Sequence, residues 1–180
     1  MATFTRQEIE EGLRKLGELA YARGLKIQLT LVGGAVMVLR FDARLSTRDV
    51  DAVILSPREA KIVRELARQV AEESDWPEDW LNDGAKGYLV GISEGDVLFQ
   101  SPGIEARAPS LEQLLAMKLS AWRDDLDISD ARRLLREVVN TSKRTRDEIW
   151  ESLEPYLVKG DELTAQYAFL DLWETLYGTN

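Results

Sequence analysis

The sequence predicts an α+β protein: a mixed sheet flanked by helices, followed by a helical C-terminal half. Three observations predict it. Residues 27–31 alternate apolar and polar side chains at the strand period, and over 48–55 Val50, Ala52 and Ile54 face one way with Asp49 and Asp51 the other. Hydroxyl residues followed three positions later by Glu or Gln mark helix starts around those strands. From Ser110 onward the apolar residues recur only at helical spacing, so mixed elements come first and helices alone follow.

Thr5-Arg6-Gln7-Glu8 forms a capping box and opens a helix over 6–23. Ile9, Leu13, Leu16 and Ala20 share one face of it, and Gly24 stops it. Ile27, Leu29 and Leu31 then form the buried face of a strand, with Lys26, Gln28 and Thr30 opposite. Gly33-Gly34 reads as a turn before a short helix over 35–41. Residues 48–55 read as a second strand, Val50, Ala52 and Ile54 facing one way and Asp49 and Asp51 the other. Ser56-Pro57-Arg58-Glu59 is another capping box, with Pro57 at the first helical position. Its helix, over 57–74, turns Ile62, Leu66, Ala67 and Val70 inward. A structured loop over 75–87 precedes short strands at 88–92, 96–100 and 103–108. Helices follow at 111–122, 128–140, 146–156 and 161–177, two of them opened by Ser110-Leu111-Glu112-Gln113 and Thr145-Arg146-Asp147-Glu148. The expected division is an α+β core over 1–109 and a helical region over 110–180 packed on it.

Composition narrows the chemistry. The 180 residues include no Cys and no His, which excludes thiol catalysis, histidine acid–base catalysis and the usual zinc sites. A metal site would use oxygen ligands, which suits Mg²⁺, Mn²⁺ or Ca²⁺. A net charge of −9 argues against a broad nucleic-acid-coating surface. The N-terminal segment has no signal-peptide pattern and no apolar run reaches the length of a membrane span. The expectation is a cytoplasmic protein with no membrane partner.

The residues that carry chemistry are Gly33-Gly34 and, 14 residues further on, Asp49-Val50-Asp51. With a strand period of 2, both carboxylates project from one face and can converge on divalent cations that bridge triphosphate oxygens. The glycines let backbone approach phosphate closely, and Thr47 adds a hydroxyl. Each feature alone has a plainer reading. Gly-Gly is commonly a turn, Lys118 a helix lysine lying along apolar surface, Asp127 a helix-dipole charge, and Asp130 a surface partner of Arg123 or Arg133. Trp76 and Trp80, in the loop, are candidates for stacking on bases, whereas Trp122, Trp150 and Trp173 read as core. The basic stretch with Arg132, Arg133, Arg136, Lys143, Arg144 and Arg146 reads as a solvated helix face or an RNA-backbone contact.

Leu31-Val32-Gly33-Gly34-Ala35 followed by Ser46-Thr47-Arg48-Asp49-Val50-Asp51 resembles the signature of the polymerase-beta-like nucleotidyltransferase superfamily. Leu114-Leu115-Ala116-Met117-Lys118-Leu119-Ser120-Ala121, then Arg123, Asp127 and Asp130, resembles later motifs of its AbiEii and MenT type toxin branch and of relatives known only as domains of unknown function. Trp80-Leu81-Asn82-Asp83 is similar to a phrase of the same branch, and the likeness covers about 25–140. The resemblance implies a nucleotidyltransferase-like fold. It implies that Gly33 and Gly34 hold the triphosphate, that Asp49 and Asp51 bind Mg²⁺ or Mn²⁺, and that Lys118 neutralises nucleotide phosphate. Asp130 or Asp127 would serve the later acidic motif. Asp96 and Glu105 are the candidates for a third metal carboxylate, and neither lies in a matching motif. The implied activity is transfer of a nucleoside monophosphate from an NTP to an acceptor hydroxyl, with an RNA or tRNA 3′ end as acceptor. The implied setting is a toxin with a cognate antitoxin protein. Two other readings compete: a catalytically inactive binding module, motivated by the unplaced third carboxylate, and a small-molecule nucleotidyltransferase of the antibiotic-modifying kind, motivated by the acidity.

Overall fold

The chain is described by a computed structural model covering residues 3–58 and 60–178. It is an α+β protein with two compact units, one comprising 1–86 and 94–109, the other 87–93 and 110–180.

The first unit runs β1 (Phe4–Thr5), α1 (Arg6–Ala22), β2 (Ile27–Val32), α2 (Gly33–Leu39), β3 (Ser46–Thr47), β4 (Val50–Ser56), α3 (Ala60–Ser74), β5 (Leu81–Asn82), β6 (Val97–Ser101) and β7 (Ile104–Arg107). Its main sheet has the order β5-β4-β2-β7-β6. β2 is antiparallel to β4 and parallel to β7, so the sheet is mixed. The register places Leu29 opposite Ile54, Leu31 opposite Ala52 and Ile27 beside Ile104. These residues share one face, and apart from Ile54, which is part-buried, they lie in the core. α1 packs on this face with Gly17 against Ile104, and α3 lies beside α1.

The Thr5 capping box forms as predicted: the Thr5 hydroxyl accepts from the Glu8 amide while the Glu8 carboxylate accepts from the Thr5 amide at 2.8 Å. Other expectations change. β2 buries both faces beyond Gln28, because Thr30 and Val32 are covered as well. Gly33 and Gly34 are not a separate turn but open α2 directly. Residues 57–58 bend ahead of α3, so Pro57 is not its first helical residue; Glu59, the last member of that predicted capping box, lies outside the described residues. On α3 the buried residues are Val63, Leu66, Ala67, Val70 and Ala71, with Ile62 only part-buried.

The loop after α3 is organised by Trp80, which is 1% exposed. Its indole N–H donates to the Ala67 carbonyl at 2.9 Å, and its ring meets Phe4 and Trp76. Its own carbonyl accepts from the Val50 amide at 2.7 Å, docking β5 parallel to β4. Trp80 is therefore core, not a base-stacking platform, since a ring enclosed by other aromatics presents no face to a ligand.

In the second unit α4 (Leu111–Ala121) contacts α5 (Asp125–Ser142), α6 (Arg146–Leu153) and α7 (Glu162–Tyr177). The Thr145 capping box of α6 is complete. At α4 only half of the box forms. The Ser110 hydroxyl accepts from the Gln113 amide at 3.2 Å, but the Gln113 side chain turns away and donates to the Val90 and Gly91 carbonyls, both at 3.0 Å. That diversion accounts for the missing strand at 88–92: these carbonyls find a side-chain donor instead of a sheet neighbour. α4 is buried almost all round, from Gln113 to Met117 and again at Leu119 and Ser120, rather than along one stripe. Trp150 and Trp173 are half-buried in a row of rings, Trp150–Phe169–Trp173–Tyr177, and Trp122 is also half-buried.

Replacing Trp80 by Ala removes a buried ring and its indole hydrogen bond. The expected loss is about 3–5 kcal/mol of unfolding free energy, measured by urea denaturation followed by far-UV circular dichroism.

Candidate functional site

Antiparallel pairing of β2 and β4 sets Val32 opposite Asp51. Gly33 follows Val32 directly, so the pairing brings the glycine pair against the carboxylate strand. Gly33 has φ of +64°, and a Cβ there would lie 2.9 Å from Asp51 Oδ2. Gly34 lies against Thr47: a Cβ there would clash with the Thr47 hydroxyl and stand 3.0 Å from its Cβ. Thr47 is held in turn by β3, which pairs antiparallel with β1 in the register Phe4 opposite Thr47. Gly33, Gly34, Thr47, Asp49 and Asp51 are thus brought together within the first unit, around the junction of β2, β4 and α2.

Two further polar residues join them. The Asn82 amide donates to Asp49 Oδ2 at 3.0 Å, and in the β4–β5 ladder Asn82 is the register partner of Asp51. The Arg44 guanidinium reaches the glycine pair, its Nη1 being 3.5 Å from where a Gly34 Cβ would sit. Sequence reasoning assigned neither a role. The signal for Asn82 was its place in the Trp80-Leu81-Asn82-Asp83 phrase; for Arg44 there was none to separate it from Arg40 and Arg48, the other two arginines between the glycines and the first aspartate.

The candidates for a third carboxylate are committed elsewhere. Asp96 pairs with Arg40 at 2.6 Å. Glu105 accepts from Arg107 Nε at 2.7 Å, and that guanidinium holds its carboxyl below the ordinary glutamate range. Glu105 is level with Gln28, four residues along β2 from Val32, which at strand rise is about 13 Å from the level of Asp51. Among the described residues no group of three Asp, Glu, His or Cys side chains is placed to hold a metal ion. Two carboxylates still fit Mg²⁺, which commonly takes one or two protein carboxylates and completes its shell with water and substrate phosphate.

The second unit assembles Lys118, Asp127 and Asp130. The Lys118 ammonium lies 2.9 Å from Asp127 Oδ1 and 2.8 Å from Asp130 Oδ2. The carboxylates are almost fully buried, at 5% and 3% side-chain exposure, and the lysine is 15% exposed. Asp130 therefore pairs with Lys118. Asp127 sits in the first turn of α5, its amide donating to the capping carboxylate of Asp124 at 2.9 Å. Burial alone would raise the Asp127 carboxyl, but the Lys118 ammonium and the Arg123 backbone and guanidinium outweigh it and hold it below the usual aspartate value of 3.8. In the basic stretch nearby, three of the six cations are matched: Arg144 pairs with Glu112, Arg146 with Asp147 and Arg133 with Glu137.

The family model described as "Nucleotidyl transferase of unknown function (DUF2204)" matches residues 5–100, more than half of the chain. The matched span holds Gly33, Gly34, Arg44, Thr47, Asp49, Asp51 and Asn82. No curated protein matches the chain.

Gly34→Ala forces Thr47 to move and is expected to cost about 1–3 kcal/mol by overpacking, read from the urea midpoint. Asp127→Asn removes a carboxylate whose folded pKa is depressed. Its stabilisation is complete above the unfolded value near 3.8 and is lost as pH falls through the folded value. The gap between wild type and variant in urea titrations should be full above about pH 5 and narrow progressively below about pH 4.

Proposed function

The chain belongs to the DUF2204 family of nucleotidyl transferases, and from that premise we propose that it is a Mg²⁺-dependent enzyme (Mn²⁺ serving as well) that moves a nucleoside monophosphate from an NTP to an acceptor hydroxyl. The observation that carries the proposal is the convergence of Asp49 and Asp51 with Gly33, Gly34, Thr47 and Arg44, in one unit, with Asp49 held by a neutral amide.

In this reading Asp49 and Asp51 hold the divalent ion. The ion supplies charge neutralisation on the triphosphate and polarisation of its α-phosphorus. The side-chain-free backbone at Gly33 and Gly34 admits the phosphates, and Thr47 and Arg44 present a hydroxyl and a guanidinium to their oxygens. The acceptor oxygen forms a bond to the α-phosphorus, the bond from that phosphorus to the bridging α–β oxygen breaks, and pyrophosphate leaves. The proton of the hydroxyl passes to a carboxylate of the site or to water, the sequence having no histidine to take it.

Lys118, Asp127 and Asp130 enter as the later motif of the sequence resemblance, with Lys118 assigned to nucleotide phosphate. Their buried ion pairs also join α4 to α5, so their replacement is expected to cost stability as well as transfer. The same resemblance supports an RNA acceptor, a tRNA 3′ end in particular, and the role of a cytoplasmic toxin neutralised by an antitoxin protein.

One observation favours a second reading. Both candidates for a third carboxylate are tied to arginines, as they would be in a nucleotidyltransferase fold that binds a partner without catalysing transfer.

Incubation with each α-labelled NTP, Mg²⁺ and total tRNA, beside an Asp49→Asn/Asp51→Asn variant, separates these. Label on RNA from the wild type, reduced at least about 10²–10³-fold in the variant, is the expected result. Equal labelling by both would overturn the roles given to the aspartates. No label on RNA, protein or small molecule with any NTP would leave the non-catalytic reading.

A further inference from the structure

We infer that Asn82 is a positioning residue of the metal site: its side-chain amide fixes Asp49 through one oxygen while leaving the carboxylate its full charge. This rests on the reading of Asp49 as a metal ligand.

The placement of Asn82 is not left to a loose loop. Two residues earlier Trp80 is buried, its indole bonded to Ala67 and its carbonyl to the Val50 amide. Leu81 and Asn82 then run parallel to β4, beside Val50 and Asp51. The amide nitrogen of Asn82 lies 3.0 Å from Asp49 Oδ2 and 3.4 Å from the Asp79 carbonyl oxygen. Both neighbours are acceptors, so the NH₂ end, not the carbonyl end, faces Asp49.

The kind of donor matters. Asp83, Asp96, Glu105 and Asp127 are each held by a lysine or an arginine. A carboxylate neutralised in that way gives up its cation before a metal can approach. Asp49 is held by a neutral donor, which restricts the carboxylate's rotation and occupies one oxygen without cancelling the charge. Asp83, next to Asn82, is neutralised by Arg64 and Lys86, so it does not compete for the same ion. Hydrogen bonds to a metal's ligands commonly govern about 10–100-fold of its affinity.

The test is Mn²⁺ binding by the full chain, read from the free-ion electron paramagnetic resonance signal, for wild type, Asp49→Asn, Asn82→Ala and Asn82→Asp. Thermal melts establish that each is folded at the temperature used. Binding by the wild type that Asp49→Asn abolishes, and that both Asn82 variants weaken about 10–100-fold, is the expected result. Asn82→Asp is isosteric and keeps the test should Asn82→Ala fail to fold. An ionised carboxylate at position 82 cannot donate, so Asn82→Asp binding as tightly as wild type or tighter would make position 82 a direct ligand and overturn the inference. Unchanged binding in Asn82→Ala, with Asp49→Asn still defective, would overturn it too while leaving the metal reading in place. Wild type and Asp49→Asn binding Mn²⁺ equally would remove the metal reading and this inference together.

Discussion

Antiparallel pairing of β2 with β4 is the constraint on which the first unit turns. Its register decides at once which residues form the core and which meet at the site. With Leu29 opposite Ile54 and Leu31 opposite Ala52, the apolar set lies on the face that α1 covers. The same register brings Val32 opposite Asp51, and the chain leaves β2 as a glycine pair at that point. A slip of one residue would break these pairings and move Asp51 away from the glycine pair. Burial of the core therefore enforces the geometry of the site, and the β1–β3 pair adds Thr47 to it from the other side.

Charge is distributed so that carboxylates serve two purposes. Those paired with lysine or arginine, such as Asp96, Glu105 and Asp83, are neutralised where they stand. Asp49 accepts instead from the neutral Asn82 amide. In a protein with a net charge of −9, this distinguishes Asp49 from the general acidity of the surface. Acidity by itself indicates no site; the partner of each carboxylate does.

The second unit solves a different problem. α4 is enclosed by α5, α6 and α7, yet it carries Gln113 and Lys118. Each polar group is satisfied: Gln113 by Val90, Gly91 and Ser93, and Lys118 by Asp127 and Asp130. The buried Ser120 hydroxyl of the same helix has no hydrogen-bond partner among the described residues, but a charge cannot be left so, because the cost of an unpaired buried charge exceeds what its removal from water could return. The ion pairs fix which turn of α5 faces α4, a constraint that apolar packing would impose less sharply.

Much of this was legible in the chain. The helix starts at Thr5 and Thr145 depend on contacts within one turn, and both form as the local sequence prescribes. The alternation at 27–31 and the period-2 spacing of Val50, Ala52 and Ile54 against Asp49 and Asp51 report the side-chain period and located both β2 and β4. The glycine pair and the two aspartates were legible as a pattern, because the register brings together what the motif separates by 14 residues. What the sequence could not determine were pairings between distant residues. Burial of Thr30 and Val32, diversion of Gln113 from its cap to the 90–93 segment, enclosure of Trp80 by Phe4 and Trp76, and attachment of Asn82 to Asp49 were all decided by tertiary structure. Local propensity and period are properties of neighbours in the chain, whereas the partner of a buried polar group is chosen by whichever element the fold brings within reach.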